Sequence, residues 1–328
     1  MRQIPFREAL REAMNEEMRR DDRVFLMGEE VAEYNGAYKV SQGMLAEFGA
    51  RRVIDTPISE LGFTAVAVGA AQNGLRPIVE FMTWNFAVLA LDQILNTASK
   101  MLAMSGGQIS CPIVFRGPNG SAGQLGAQHS TAFEALYANI PGLKVVSVSN
   151  GYDGKGLLKQ AIRYEEDPVI FMESEVMYGD KTEIPDEEFY IELGKAEVKK
   201  QGTDVTIVSF GKMMKVALGT AAELEKEQIS AEVIDLRSIR PLDWMTILES
   251  VKKTNRLIII EEEWPYASVS SEVAYQIQKE GFDYLDAPVR RLTAADAPLH
   301  YAPNLVAAAL PDISKAVKLV KEIMYLKK

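Results

Sequence analysis

The chain has 328 residues, 47% of them hydrophobic and 25% charged, with a formal net charge of −10 at pH 7. That balance gives enough apolar surface for a packed interior, the length suggests two domains, and the negative charge excludes a nucleic-acid binder that works by neutralising phosphates. No stretch approaches the roughly 18 apolar residues of a membrane span, and one cysteine with two histidines excludes an internal disulfide and argues against zinc.

The opening residues are charged and amphipathic, with no apolar signal-peptide region, and read as a mature start. Phe6, Leu10, Ala13, Met14 and Met18 recur at helical spacing, predicting a helix over 6–20. Short apolar runs at 24–27, 77–81, 112–115, 143–148 and 169–172 read as strands, and the stretches 61–74, 86–104, 131–138 and 153–163 as helices between them. Apolar runs separated by helices are the sequence form of a parallel sheet covered on both faces. Residues 177–194 are polar and acidic and read as a linker. The alternation then resumes, with strands at 204–210, 231–236, 256–260 and 289–293 and helices at 213–227, 242–253, 268–280 and 312–326. The expected fold class is α/β with two parallel-sheet domains, over 1–190 and 191–328.

Several segments carry candidate chemistry. Ser59 and Glu60 fit an N-cap and a first-turn carboxylate. Alternatively, Glu60 is a desolvated acid among Ile58, Leu61 and Phe63, able to share a proton with a weakly basic ring nitrogen. The glycine-rich stretch 116–126 (RGPNGSAGQLG) matches neither dinucleotide nor Walker patterns and reads as a tight loop. His129 ends that loop ahead of a capping-box pattern, Thr131 to Glu134, and is either an anion or acid–base group or a surface residue. Residues 80–86 (EFMTWNF) cross from a strand end to a helix start, where α/β proteins place ligands and an aromatic ring can stack on a flat one. Cys111 heads an apolar run and reads as core. His300 reads as structural or interfacial, and the acidic runs 186–188 and 261–263 as solvated surface.

Taken together, the segments 28–43, 52–63 (RVIDTPISELGF), 74–86, 112–120 (PIVFRGPNG), 128–147, 152–163 and 237–255 resemble, in order, the pyruvate dehydrogenase beta-subunit family. The resemblance implies a thiamine diphosphate-binding pyrimidine domain followed by a transketolase C-terminal-type domain. It implies an alpha2beta2 heterotetramer with an alpha subunit that holds the diphosphate and Mg2+, and a dihydrolipoyl acetyltransferase as further partner. Neither nucleic acid nor membrane is expected as a partner. Glu60 matches the glutamate that hydrogen-bonds the pyrimidine nitrogen and promotes loss of the thiazolium proton. Phe86 matches the ring packed on the aminopyrimidine, and Glu29 an acid near the cofactor in a chain linking paired sites. His129 matches the histidine that assists substrate binding and acyl transfer to lipoate. A structural potassium ion is implied at Ile113, Ala161, Ile162 and Glu166. Trp84 stands where phenylalanine is common, a replacement expected to be tolerated. Asp286 and the final helix match the acyltransferase-docking region. The implied compartment is the cytoplasm of a bacterium or an organelle matrix or stroma of a eukaryote. Beta subunits of branched-chain 2-oxo acid or acetoin dehydrogenases are the nearest rivals, and Ala127, where branched-chain relatives carry a second histidine, favours pyruvate. A single-chain transketolase-like enzyme would need a further domain, and a scaffold without catalysis would not need Glu60, Phe86 and His129.

Overall fold

The computed structural model describes residues 1–326. Its chain forms two compact units, one of Met1–Asn119 with Leu136–Leu193, the other of Gly120–Ala135 with the described residues from Gly194 to 326.

In the first unit the parallel strands lie in the order Lys144–Ser147, Val169–Glu173, Val114–Pro118, Arg76–Glu80, Val24–Gly28, Val53–Asp55. Residues 76–80, 114–118 and 169–173 are buried throughout, as strands covered on both faces must be. The helices Phe6–Arg20 and Gly151–Arg163 pack against each other, burying Phe6, Leu10, Met14, Leu157 and Leu158 at about 1.5–3 kcal/mol for each large side chain. Beside that apolar seam run ion pairs from Lys155 and Lys159 to Glu16, each 2.7 Å, and from Arg163 to Glu17 at 2.7 Å.

The chain runs from Val24–Gly28 to the edge strand Val53–Asp55, then back across to Arg76–Glu80 and on to Val114–Pro118. Connections from the adjacent strands Val24–Gly28 and Arg76–Glu80 therefore leave in opposite directions. Between their carboxyl ends lies the crevice where open α/β sheets bind ligands.

The second unit holds a five-stranded sheet in the order Arg290–Leu292, Leu257–Ile260, Val205–Ser209, Ala231–Asp235, Glu197–Lys200. The first four are parallel and the last is an antiparallel edge with a register shift at Val233/Ile234. Ile207, Val233, Ile258, Ala217 and Val320 form its core.

The α/β class with parallel sheets stands as expected, and four local readings change. The presumed linker contains the strand Lys181–Ile184, paired antiparallel with Arg2–Pro5. One buried isoleucine in each, Ile4 and Ile184, suffices to seat this pair, a signal too sparse for periodicity. The helix expected over 86–104 is broken into Trp84–Ala87, the 3-10 turn Val88–Ala90, the π-helix Gln93–Ala98 and Met101–Met104. Ser99 helps explain the break, its hydroxyl donating to the Leu95 carbonyl at 2.7 Å. The strand expected from 112 runs Val114–Pro118. The helix expected from the capping-box pattern begins at Glu134, three residues after Thr131.

Candidate active site

Glu29 follows Gly28 directly, and Glu60 opens the helix Glu60–Gln72. Both carboxyls are buried, at 6% and 5% exposure. Burial first, and the neighbouring Glu60 carboxylate second, push Glu29 up to about 7. Its Oε1 has no hydrogen-bond partner. Ser59 stands at the N-cap without a side-chain cap bond, and Glu60 is the acidic residue of the first turn. Four residues before Glu60 lies Thr56, and one turn after it Thr64; each has a buried hydroxyl with no partner. Three buried polar oxygens, on Glu29, Thr56 and Thr64, are thus free to take hydrogen bonds near the start of one helix.

The neighbouring turn carries Phe86, which is half-buried. It is pinned to the end of the strand Val114–Pro118 at successive positions. Phe81 N donates to the Arg116 carbonyl at 2.9 Å, Trp84 Nε1 to the Gly117 carbonyl at 3.0 Å, and Thr83 Oγ1 to the Pro118 carbonyl at 3.4 Å. Gly117 is required there, because a Cβ would lie 2.4 Å from the Phe81 carbonyl oxygen. Trp84 is fully buried, edge-on to Tyr137 at 4.9 Å and tilted against Phe81 at 5.6 Å, while Phe81 meets Phe63 of the Glu60 helix at 5.8 Å. One aromatic cluster thus underlies both the Glu60 helix and the Phe86 turn.

Beneath the turn, the fully buried Arg116 bonds Glu173 Oε1 through Nε at 2.6 Å and reaches Glu173 Oε2 and Glu80 Oε2 with its other nitrogens. Tyr178 adds its hydroxyl to Glu173 Oε2 at 2.7 Å. Burial opposes the charge on Arg116, but Glu173 and Glu80 outweigh it and raise its pKa. Burial raises Glu80, with Arg116 working the other way. The triad ties three neighbouring strands together at their carboxyl ends.

In the second unit, His129 is half-buried at the end of a 3-10 turn, Ala127–His129, in a segment seated on its own unit. Ser121 N and Oγ both donate to Glu262 Oε2 at 3.1 Å, and Glu262 pairs with Lys212 at 2.6 Å. Gly126, at φ +82°, lies under the Tyr301 ring, which a Cβ would approach to 2.5 Å. Ala135 N donates to Glu263 Oε1 at 2.6 Å.

Comparison with known proteins decides the family. The transketolase pyrimidine-binding domain matches residues 2–181 and the transketolase C-terminal domain residues 194–315. The pyruvate dehydrogenase E1 component subunit beta of Rickettsia bellii is 56% identical over 325 residues, covering 99% of this chain and 100% of the relative. That of Rhizobium meliloti is 55% identical over 326 residues, 99% of this chain and 71% of the relative. The chain belongs to the pyruvate dehydrogenase E1 beta-subunit family. The mitochondrial member of Caenorhabditis elegans is 51% identical over 96% of this chain and 91% of its own. A solved structure described as a split gene transketolase, inactive beta4 tetramer, shares the fold at TM-score 0.81 and 24% identity, covering 99% of both chains. As a member of that family, the chain is a thiamine diphosphate-dependent, transketolase-family subunit of a pyruvate dehydrogenase E1 component.

The remaining expectations for this E1 beta subunit fall into place unevenly. Cys111 is core, its thiol pushed up to about 12 by burial. His300 and the run 186–188 are exposed. The run 261–263 is not solvated surface. Glu261 and Glu263 are buried at 0% and 5% exposure. Glu261 accepts from the hydroxyls of Ser268 and Ser270 and from Ser270 N at 2.9 Å, and Glu263 accepts from Val269 N at 3.0 Å, so both cap the helix Val269–Glu280. Their partners stand in sequence just beyond the run, and the serines at 268, 270 and 271 were the signal available. Of the carbonyls implied for potassium, Ile113 accepts from Val169 N at 2.9 Å, Ala161 from Tyr164 N at 3.3 Å and Ile162 from Arg76 Nη1 at 2.9 Å. Glu166 Oε2 accepts from the Tyr164 hydroxyl at 3.3 Å. Among the described residues no cluster of three or more His, Cys, Asp or Glu could hold a metal, and no helix is long and apolar enough to cross a membrane.

Proposed function

We propose that residues 1–190 form the aminopyrimidine-binding half of a thiamine diphosphate site for oxidative decarboxylation of pyruvate, with residues 191–328 as its C-terminal domain. The observation that carries this reading is the pair of buried carboxyls, Glu29 and Glu60, near enough for the Glu60 charge to act on Glu29, with Glu29 Oε1 unpartnered. Thiamine diphosphate, when bound, supplies the electron sink for breaking the bond between the keto and carboxylate carbons. Glu60 holds or takes up a proton at its carboxyl facing the ring nitrogen. Glu29 stands neutral or charged beside it as the pH dictates, and the Phe86 ring presses on the flat face of the pyrimidine. His129 binds substrate and aids acyl transfer to lipoyl groups.

The alpha subunit supplies the other half of the site, including the diphosphate and Mg2+ ligands, in an alpha2beta2 assembly. An exposed apolar strip on the Glu60–Gln72 helix and its approach, with Ile58, Leu61 and Val66 at 84%, 49% and 66% exposure, supports a covering partner. The dihydrolipoyl acetyltransferase takes the acetyl group and docks near Asp286 and the helix Ile313–Ile323. Potassium, where bound, sits at the carbonyls of Ile113, Ala161 and Ile162 near Glu166. The second lone pairs of the Ile113 and Ala161 carbonyls would be the means, while the Ile162 carbonyl already accepts from the Arg76 guanidinium, whose charge opposes a second cation there. The names of bacterial and mitochondrial relatives support the cytoplasm of a bacterium or an organelle matrix or stroma.

The test is pyruvate-dependent reduction of an artificial electron acceptor by this chain with its alpha subunit, thiamine diphosphate and magnesium. Glu60→Gln is expected to lower the rate about 10²–10⁴-fold with the assembly intact. A variant as active as the wild type would remove Glu60 from the mechanism. Preference for 2-oxoisovalerate over pyruvate would move the substrate to the branched-chain class.

A further inference from the structure

The segment Gly120–Ala135 holds no helix of its own beyond one 3-10 turn and the first residues of the helix Glu134–Ala138. Glycines at 120, 123 and 126 leave it few side-chain contacts, and its own bonds, Gly120 N to the Thr131 carbonyl at 3.2 Å and Ser130 Oγ to the Gly126 carbonyl at 2.7 Å, close it on itself, so its placement comes from what it lies on. Its bed is three grips in sequence: Ser121 on Glu262 and Lys212, Gly126 under Tyr301, and Ala135 on Glu263. Between them the segment packs closely. The space left behind Ala127, Ser130 and Thr131, against Trp264 and Leu299, is about 10 Å³, room for no more than a single water.

The first grip is the strongest. Lys212 Nζ donates to Ser121 Oγ at 2.6 Å and to the Ser121 carbonyl, and pairs with Glu262 at 2.6 Å, while Glu262 accepts both Ser121 donors. The Lys212 and Glu262 side chains are 7% and 9% exposed, so water offers them little alternative. A buried, charge-assisted cluster of this kind fixes geometry where a surface pair would not.

We propose that Lys212 and Glu262 are positioning residues for His129: by locking Ser121 they set where the histidine stands during acyl transfer. The proposal rests on the reading of His129 given above. A segment loosened at its first grip lets the histidine drift by an ångström or so, which costs an acyl-transfer step about tenfold or more.

The experiment uses the enzyme reconstituted with its alpha subunit and compares two rates in one preparation at saturating pyruvate. One is acetylation of a free lipoyl domain, the other reduction of an artificial acceptor. Lys212→Met is expected to lower lipoyl acetylation about tenfold more than acceptor reduction, and Lys212→Arg to restore most of the ratio. Ser121→Ala leaves the Lys212–Glu262 pair in place and is expected to shift the ratio in the same direction by less. It carries the test if Lys212→Met does not fold. An equal loss in both assays, as general destabilisation would give, or no loss in either, overturns the proposal. His129→Ala, run alongside, separates the two ideas. A ratio that falls for His129→Ala but not for the clamp variants refutes the clamp alone, and one that falls for neither refutes the role of His129 as well.

Discussion

Glu29 offers a stability measurement whose sign is fixed by its surroundings. Its carboxyl is raised from an ordinary 4.5 to about 7 by burial and by the Glu60 charge. Between those two values the folded chain binds a proton that the unfolded chain has lost, so stability falls as pH rises through this window. At about 1.4 kcal/mol per pH unit, the ceiling at pH 8 is ~3 kcal/mol, and relaxation of the folded chain around the ionised carboxyl reduces it to about 1–2 kcal/mol. Glu29→Gln removes the ionisation. The cofactor-free variant is expected to match the wild type at pH 4 and to exceed it by about 1–2 kcal/mol at pH 8 in denaturant unfolding. The same variant is expected to lose affinity for thiamine diphosphate, a trade of stability against function that sites commonly show. A variant no more stable than wild type at pH 8, or one that gains equally at pH 4, would refute burial as the cause.

Arg116→Met leaves Glu80 and Glu173 buried without a counter-ion and is expected to cost about 3–5 kcal/mol in denaturant unfolding. Adding Glu80→Gln is expected to recover part of that loss, and a cost below about 1 kcal/mol would show that the carboxyls find water. Trp84→Phe removes the donor to the Gly117 carbonyl and opens space beside Tyr137, for a calorimetric loss of about 1–3 kcal/mol; no shift in melting temperature would mean the turn is held without it. Cys111, buried and raised to about 12, is expected to resist a thiol reagent in the native protein and to react fully once unfolded.

Much of the fold was legible because strands covered on both faces leave apolar runs that need no partner to be recognised. The helix Phe6–Arg20 was legible for a related reason: its buried residues repeat at the helical period. The pair Arg2–Pro5 and Lys181–Ile184 was not, since its register is set by residues about 180 apart in sequence. The edge strand Glu197–Lys200 was hidden too, with each of its four residues only half-buried. Acidic runs misled for the opposite reason. Glu261 and Glu263 look like any solvated glutamates until Ser268, Ser270 and the amide of Val269 are placed against them. Burial of a carboxylate is decided by its partners, and those are named by the fold. In the same way the resemblance named Glu60, Phe86 and Glu29, but only the structure could show an unpartnered oxygen on Glu29.

On the proposed reading, the helix Glu60–Gln72 joins the chemistry of this chain to its assembly. Its first residue is a buried acid, and its outward side carries Leu61 and Val66 together with the small exposed Gly62 and Ala65. An isolated chain leaves that apolar side in water, at about 25 cal/mol for each Å² that a partner would cover. The proposed alpha subunit, laid on this side, removes water from the same end of the helix where Glu60 and Glu29 sit. Desolvation of that kind raises a carboxyl further, so Glu29 is expected to hold its proton to higher pH in the assembly than in the free chain. On the proposed reading, pyrimidine binding and subunit association then draw on one pair of carboxyls. Each should be strengthened by the other, by equal free energies in the two directions, as linkage requires.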